Sequence, residues 1–342
     1  MRELIELQKK LFPDVLDVMQ RRYSILSTID ILHPIGRRGL SENTTLTERA
    51  VRSEVEFLQS KGFIEVTSKG MYLSKEGKVI LERLAIFMRE IMGLSVLEQQ
   101  IKDKLNIDHV IVVSGDSDQN DWVKQEMGKE CVSKIQSIIP SSCTFAVTGG
   151  TTIAALAEVM TPFQKDGDYL FVPARGGIGE KVENQANSIV AEMARKTKGA
   201  YRLLYIPDHL SESAYQSMVK EPSIKEVLNQ IKSADIVLHG VGDALTMAKR
   251  RNSPEHIISK LKKNKAASEA FGYYFNQKGE VVHKIKTVGI QLEDLSSMKY
   301  VITLAGGKSK GQAILSYFKE GKSNVLITDE GAAEEILREN SL

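Results

Sequence analysis

From the segment "NIDHVIVVSGD" onward, short apolar runs alternate with amphipathic helical runs, and no other feature constrains the fold of this chain as strongly. Apolar stretches at 109–113, 144–147, 169–172, 201–206, 236–240, 281–290, 300–304 and 324–328 read as strands. Most are separated by helical runs such as "TTIAALAEVM", "ANSIVAEMARKTKG" and "GQAILSYFKEG". Parallel neighbours need long crossovers, and strands buried on both faces read as continuous apolar runs, so an α/β unit with a mainly parallel, two-sided sheet is expected. Upstream of about residue 104 the pattern is helical except for one hairpin-like stretch, which marks a second module of different architecture.

At 342 residues the chain has material for two domains or one large α/β unit. Its formal net charge of +2 is too small to imply a polyanionic partner, so any nucleic-acid surface must come from local residues. The two cysteines, Cys131 and Cys143, form neither a disulfide scaffold nor a zinc pattern. His33, His109, His209, His239, His256 and His283 show no HxH or HExxH spacing, and no metal is expected. The amino terminus "MRELIELQKKLFPDV" lacks a signal-peptide core, and no stretch approaches the roughly 18–20 apolar residues of a membrane span. A soluble, cytoplasmic protein without membrane contact is the expectation.

In the amino-terminal module, "YSILSTIDILH" at 23–33 forms a first helix, and "LSENTTLTERAVRSEVEFLQSKGFIEVTSKGMYLSKEG" supplies two more and a short β-ribbon. That order predicts a winged helix-turn-helix. Thr47 is the expected N-cap of the third helix, whose Val51, Val55 and Leu58 form the buried stripe. Arg49, Arg52, Ser53 and Glu56 then face outward near the helix start, where a recognition helix meets base edges and phosphates. Arg37 and Arg38, preceding the second helix, and Lys69, on the turn of the wing, are candidates for phosphate contacts. Any solvated helix carries a charged outer face; the assembly of helices with "GFIEV" and "GMYLS" as paired strands is what points to duplex DNA. Leu81, Leu84, Met88 and Ile91, continued by Leu97 and Ile101, make a stripe that either packs within its own domain or joins two copies.

The α/β module carries several glycine-rich loops. In "VTGGTT", Gly149 and Gly150 permit positive φ and close approach, while Thr151 and Thr152 open a helix whose unpaired amides and dipole favour an anion. Its spacing excludes both the GxGxxG dinucleotide fingerprint and the Walker A loop. "VITLAGGKSKG" reads as a second amide-lined corner, with Lys308 and Lys310; residue 302 is isoleucine where Walker A requires glycine. Arg175 in "FVPARGGIGE" and Arg250 and Arg251 in "LTMAKRRNSPE" add basic loops at strand ends, where doubly wound sheets collect ligands and arginine clamps phosphates. Two separate basic loops favour a ligand with two anionic ends. Gln185 and Glu269 are candidates to meet sugar hydroxyls. Glu269 is either a general base, as in a sugar-phosphate isomerase or deaminase, or a helix-start or loop acid on the surface. No Asp-His pair accompanies it, which makes the enzyme the weaker alternative.

Taken together these segments resemble the SorC/DeoR-type sugar-responsive repressors over essentially the full length, most closely those that govern central glycolytic genes. The resemblance rests on "TERAVRSEVEFLQSKGFIEV", "TGGTTIAALAE", "PARGGIGE", "NQANSIVAEMA", "SEAFGYYF" and "AGGKSKGQAILSYFKEGKSNVLITDEGAAEEIL". It implies a winged helix-turn-helix at 1–90, a helical linker at 91–104 and, at 105–342, a Rossmann-like effector and oligomerisation domain similar to sugar-phosphate isomerases and deaminases. It further implies a repressor, not an enzyme, that needs no cofactor and is released by fructose 1,6-bisphosphate. Carried over by motif, Gly149, Gly150, Thr151 and Thr152 cradle one phosphate with Lys310, Arg250 and Arg251 lie near the second, and Arg175, Gln185 and Glu269 contact the ligand. The expected partners are operator double-stranded DNA and further copies of the chain, as a homodimer and a dimer of dimers on DNA.

Overall fold

The computed structural model describes residues 7–8, 10–44, 46–177, 181–207, 211–320 and 322–338. The chain divides into two compact units, Met1–Leu97 and Glu98–Leu342.

In the first unit, helices α1 (Pro13–Leu32), α2 (Arg37–Asn43) and α3 (Glu48–Ser60) precede an antiparallel hairpin of β1 (Ile64–Thr67) and β2 (Gly70–Leu73), and α4 (Lys75–Ile91) follows. The first helix begins well before residue 23, at Pro13, because proline is preset for an opening helical turn. Arg37 and Arg38 open α2 rather than precede it. Thr47 caps α3, its hydroxyl accepting the Ala50 amide at 3.3 Å. Val51, Val55 and Leu58 are buried from α3 against Ile25, Ile29, Leu40, Ile64 and Met71. Arg22 ties α1 to α3, its guanidinium 3.5 Å above the Phe57 ring and its Nε donating to Glu54 at 2.7 Å. A Cβ at Gly77 would sit 2.0 Å from the Phe63 carbonyl oxygen, so glycine alone lets α4 leave the wing this closely. The stripe of α4 packs inside this unit: Leu81 lies on the main core, and Leu84, Met88 and Ile91 cluster with Leu16, Met19 and Tyr23.

After α5 (Leu94–Leu105), the chain continues through β3 (His109–Val113), α6 (Trp122–Ile138), β4 (Ser142–Val147), α7 (Thr151–Val159), β5 (Asp168–Pro173), α8 (Ala186–Thr197), β6 (Ala200–Tyr201), α9 (Glu212–Met218), α10 (Pro222–Lys232) and β7 (Ile236–His239). It then passes through β8 (Gly242–Asp243), α11 (Ala244–Arg250), α12 (Glu255–Lys263), β9 (Ala266–Ala270), β10 (Tyr273–Asn276), β11 (Val281–Lys284), β12 (Tyr300–Leu304), α13 (Gly311–Phe318), β13 (Val325–Asp329) and α14 (Glu330–Arg338). Seven strands form one parallel sheet in the order β3-β13-β12-β7-β4-β5-β6. Every residue of β7 and β13 is buried, as a sheet covered on both faces requires. Phe145 stacks on Phe171 at 4.7 Å in a core that includes Met127, Leu156 and Val190. The strands following β4 run outward to one side and those following β7 to the other, so the winding reverses between β4 and β7. An open crevice forms at such a reversal.

Three strand expectations are corrected. Only Tyr201 of the 201–206 stretch is strand, as the end of β6, because the Asn187 side chain takes over the pairing: its amide and carbonyl bond the carbonyl and amide of Leu204, each at 3.1 Å. The 281–290 stretch stops as strand at Lys284 and belongs to a separate antiparallel sheet, β11-β10-β9-β8; its continuation touches the loop after β5 through an isolated bridge between Gly289 and Arg175. Strands β9 and β10 were not expected at all. They join through Phe271 at φ 53° and Gly272 at φ 86°, a two-residue loop with both angles positive, and phenylalanine in the first place hides the usual Asn-Gly signal.

Candidate functional site

Outside the carboxyl ends of β4 and β7, at the reversal, lies a cavity of about 200 Å³. Residues 148–153 line it after β4, Arg175 after β5, residues 240–243 after β7, Arg250 and Arg251 at the end of α11, Glu269 from β9, and Ser309 and Lys310 before α13. Among the expected ligand contacts, Gln185 is missing from this lining. It lies at the start of α8, and its Oε1 approaches Gly177.

The two glycines of "TGGTT" are required for different reasons. A Cβ on Gly149 would stand 2.6 Å from the Asn184 carbonyl oxygen, so its bareness serves packing. Gly150 has open space around it but holds φ at +120°, a value that L side chains rarely adopt, and its amide donates to the Asn184 carbonyl at 2.9 Å. The amides of Thr151, Thr152 and Ile153 then begin α7, where helix geometry leaves them without intrahelical acceptors and no side chain caps them among the described residues. Thr148, absent from the expected contacts, belongs here too. Its Oγ1 is buried against the cavity with no hydrogen-bond partner among the described residues. A third threonine hydroxyl so close to this helix start, beside Thr151 and Thr152, was the signal available in the sequence.

Glu269 proves to be neither a loop acid nor a surface residue. It sits in β9, 4% exposed, and its Oε1 accepts from Arg251 at 2.9 Å, from the Gly272 amide at 2.7 Å and from Arg175 at 3.4 Å. Arg251 also donates to the Tyr274 hydroxyl at 3.0 Å. Burial alone would raise the Glu269 pKa, but Arg251, Arg175 and the Gly272 amide outweigh it and hold the carboxyl below its ordinary range. A carboxylate so stabilised is a poor proton acceptor, which removes the general base from the enzyme alternative. The cavity as a whole is lined by Arg175, Arg250, Arg251 and Lys310 against Glu269 and Asp243, an excess of positive charge.

"AGGKSKG" does not offer a second set of open amides. The Gly307 amide donates to Asp329 at 2.7 Å, the Ser309 amide to Asp118 at 2.7 Å and the Lys308 amide to Asp116 at 3.2 Å. Three carboxylates thus fill this amide-lined corner. What the loop contributes to the cavity is Ser309 and the Lys310 side chain. Burial and then the neighbouring Lys124 lower the Lys310 pKa, with Arg250 acting in the same direction and Asp118 opposing, so an anion in the cavity would relieve this ammonium. His239, under the cavity, is a core residue bonded to Thr303 and Ser323 at 2.8 and 2.9 Å, and burial pushes its pKa down to about 4. His209 lies outside the described residues.

In the first unit, Thr47, Arg49, Arg52, Ser53 and Glu56 are all exposed along α3, opposite its buried stripe. Arg37 and Arg38 are exposed at the start of α2, and Lys69 on the turn between β1 and β2. Arg52 donates to Glu56 and Arg38 to Glu42, each at 3.0 Å. Exposed pairs of this kind are worth at most about 1 kcal/mol, so a phosphate can displace the carboxylate. Among the described residues no helix is long and apolar enough to cross a membrane.

Comparison with known proteins places both units. Residues 18–88 match the family described as "CggR N-terminal DNA binding domain", and residues 89–338 the family described as "Putative sugar-binding domain". The chain is 54% identical over 340 residues to the central glycolytic genes regulator of Priestia megaterium, covering 99% of each. It is 51% identical to that of Bacillus subtilis over 339 residues, 99% of this chain and 100% of the other. A SorC family transcriptional regulator from Enterococcus faecalis, known from a crystal structure, is 46% identical, with a TM-score of 0.67 over 70% of this chain and 99% of its own. The full-length sorbitol operon regulator of Klebsiella pneumoniae shares the fold at 18% identity, with a TM-score of 0.67 over 89% of this chain and 94% of its own.

Proposed function

The chain belongs to the SorC family of transcription regulators, among the central glycolytic genes regulators, and from that premise we propose that it represses glycolytic genes and lets go of its operator when fructose 1,6-bisphosphate fills the cavity. It is a DNA-binding regulator with a sugar-binding effector domain, not an enzyme. The observation that carries the effector reading is the cavity at the strand reversal, where open amides and hydroxyls of 148–153 face Arg175, Arg250, Arg251 and Lys310.

In this reading one phosphate rests on the start of α7, taking the amides of Thr151 and Thr152, the Thr152 hydroxyl, the orphan Thr148 hydroxyl and Lys310. The second lies toward Arg250, which is exposed at the end of α11. Arg251 and Arg175 are committed to Glu269 and hold it as an acceptor for sugar hydroxyls. On the DNA side, the α3 residues read base edges while Arg37, Arg38 and Lys69 hold phosphates. The protein works in the cytoplasm as a homodimer, paired as a dimer of dimers on a repeated operator. Release then requires that the bisphosphate bind the DNA-free arrangement more tightly than the DNA-bound one.

A thermal-shift series of phosphorylated sugars tests this reading, followed by operator binding with and without the best stabiliser. Stabilisation by fructose 1,6-bisphosphate with loss of operator binding is expected. A bisphosphate that stabilises the protein and leaves operator binding unchanged would reduce the second unit to a sugar-binding domain without a regulatory output.

A further inference from the structure

Strand β7 ends at the reversal on His239, which is fully buried and packs its ring 4.6 Å from Phe271 in the cavity wall. Its Nδ1 lies 3.1 Å from the carbonyl oxygen of Gly240, the first residue of the 240–243 lining. A carbonyl only accepts, so Nδ1 carries the proton. Burial pushes the pKa of the ring down to about 4, and a neutral imidazole has one N–H, which leaves Nε2 as an acceptor. Three hydroxyls converge on that atom: Thr303 at 2.8 Å, Ser323 at 2.9 Å and Tyr317 at 3.4 Å. Thr303 donates to Ser323 at 2.8 Å and the Tyr317 oxygen lies 3.0 Å from Ser323, so Ser323 can accept from both and donate to Nε2. A buried polar cluster satisfied in this way specifies one arrangement.

The cluster joins two walls of the cavity. On one side Gly240 leads into β8, where Gly242 pairs with Glu269 and Asp243 with Ser268. Asp243 then caps α11 through the Thr246 amide at 2.8 Å, and that helix ends at Arg250. On the other side Tyr317 belongs to α13, which begins directly after Lys310, and its neighbour Ser316 bonds Ser268 at 2.9 Å. The place of the Gly240 carbonyl therefore bears on Glu269 and Arg250 together, relative to Lys310.

We infer, on the reading that the cavity takes fructose 1,6-bisphosphate, that His239 is a positioning residue for the effector, its Nδ1–H bond to Gly240 holding the 240–243 wall in register with α13. His239 is absent from the cavity lining and acts through Gly240.

Two substitutions separate the ring nitrogens, because an asparagine amide falls near Nδ1 and a glutamine amide near Nε2. In calorimetric titration of the full chain with fructose 1,6-bisphosphate, His239→Gln should weaken binding about tenfold, as loss of one hydrogen bond implies, and His239→Asn less than about threefold. Each variant breaks one half of the cluster and should lower the denaturant midpoint, so under a merely structural role binding would follow stability. Equal binding losses, or the larger loss in His239→Asn, would overturn the proposal. A second measurement needs no variant. Nitrogen-15 NMR of the ring-labelled natural protein, with His239 identified as the ring that titrates last as pH falls, should place the proton on Nδ1. Saturation with the bisphosphate should then shift that nitrogen, since the carbonyl it bonds lines the cavity. A proton on Nε2 would overturn the proposal even where both variants fail to fold. Absence of bisphosphate binding by the natural protein would overturn the effector reading instead, and the tautomer would then decide the bond to Gly240.

Discussion

After β4 the chain turns through Gly149 and Gly150 into α7, and after β12 it turns through Gly306 and Gly307 toward α13. Both loops end a buried parallel strand, carry paired glycines and lead to a helix. The first leaves the amides of its helix start facing a cavity. In the second, Asp116, Asp118 and Asp329 have taken the amides. A glycine-rich corner is therefore an anion site only when no carboxylate from elsewhere in the chain has already claimed it. In the second loop the protein satisfies its own backbone and keeps Lys310 for the neighbouring cavity.

The contrast can be broken most forcefully at Asp329, which is fully buried and accepts the amides of Ser117, Gly307 and Ala332. Replacing it with alanine orphans all three, and a loss of about 4–5 kcal/mol is expected in denaturant unfolding. A loss under about 1 kcal/mol would mean that the second loop is open after all. Arg251→Met leaves the buried Glu269 with Arg175 and the Gly272 amide, and should cost about 3 kcal/mol, measured the same way. The same trio predicts a pH effect. Because the folded pKa of Glu269 is depressed below its ordinary 4.5, its contribution is fully present above that value and is lost as pH falls through the lowered one. Glu269→Gln should therefore flatten the acid limb of stability against pH; an unchanged limb would mean that the arginines do not hold the charge.

At the first loop the expected effects are on binding and not on stability. Thr152→Ala should weaken fructose 1,6-bisphosphate by about 10–100-fold, the range for a hydrogen bond to a charged group, while unfolding changes by less than about 1 kcal/mol. Smaller again is Arg52→Ala, in the first unit, which should weaken operator binding by about 1–2 kcal/mol and reduce the salt slope by about 1 without touching the effector. Unchanged operator affinity would take Arg52 out of the interface.

Much of this was legible in the residues. The winged helix-turn-helix could be read because each of its parts is local: a cap at Thr47, a stripe at Val51, Val55 and Leu58, a hairpin two residues across at Ser68 and Lys69. The strands 109–113 and 300–304 were readable to the residue because both are mostly buried and, His109 and Thr303 apart, built of apolar or aromatic residues. The environment of Glu269 was not, since the hairpin that buries it turns on Phe271 in place of asparagine, and its arginine partners come from distant loops. Nor could the second glycine-rich loop be told from the first. Asp116 and Asp118 reach it from more than 190 positions away, with separations of 192 and 191, and no local pattern announces such a pairing.

The most direct measurement is operator binding by the full chain, followed by fluorescence anisotropy across a fructose 1,6-bisphosphate titration, for the natural sequence and for Thr152→Ala. Release of the natural protein, with Thr152→Ala bound equally well but released only at about 10–100-fold higher bisphosphate, is the predicted result. Release of both proteins at the same concentration would contradict it, because the loop after β4 would then not be where the signal is received.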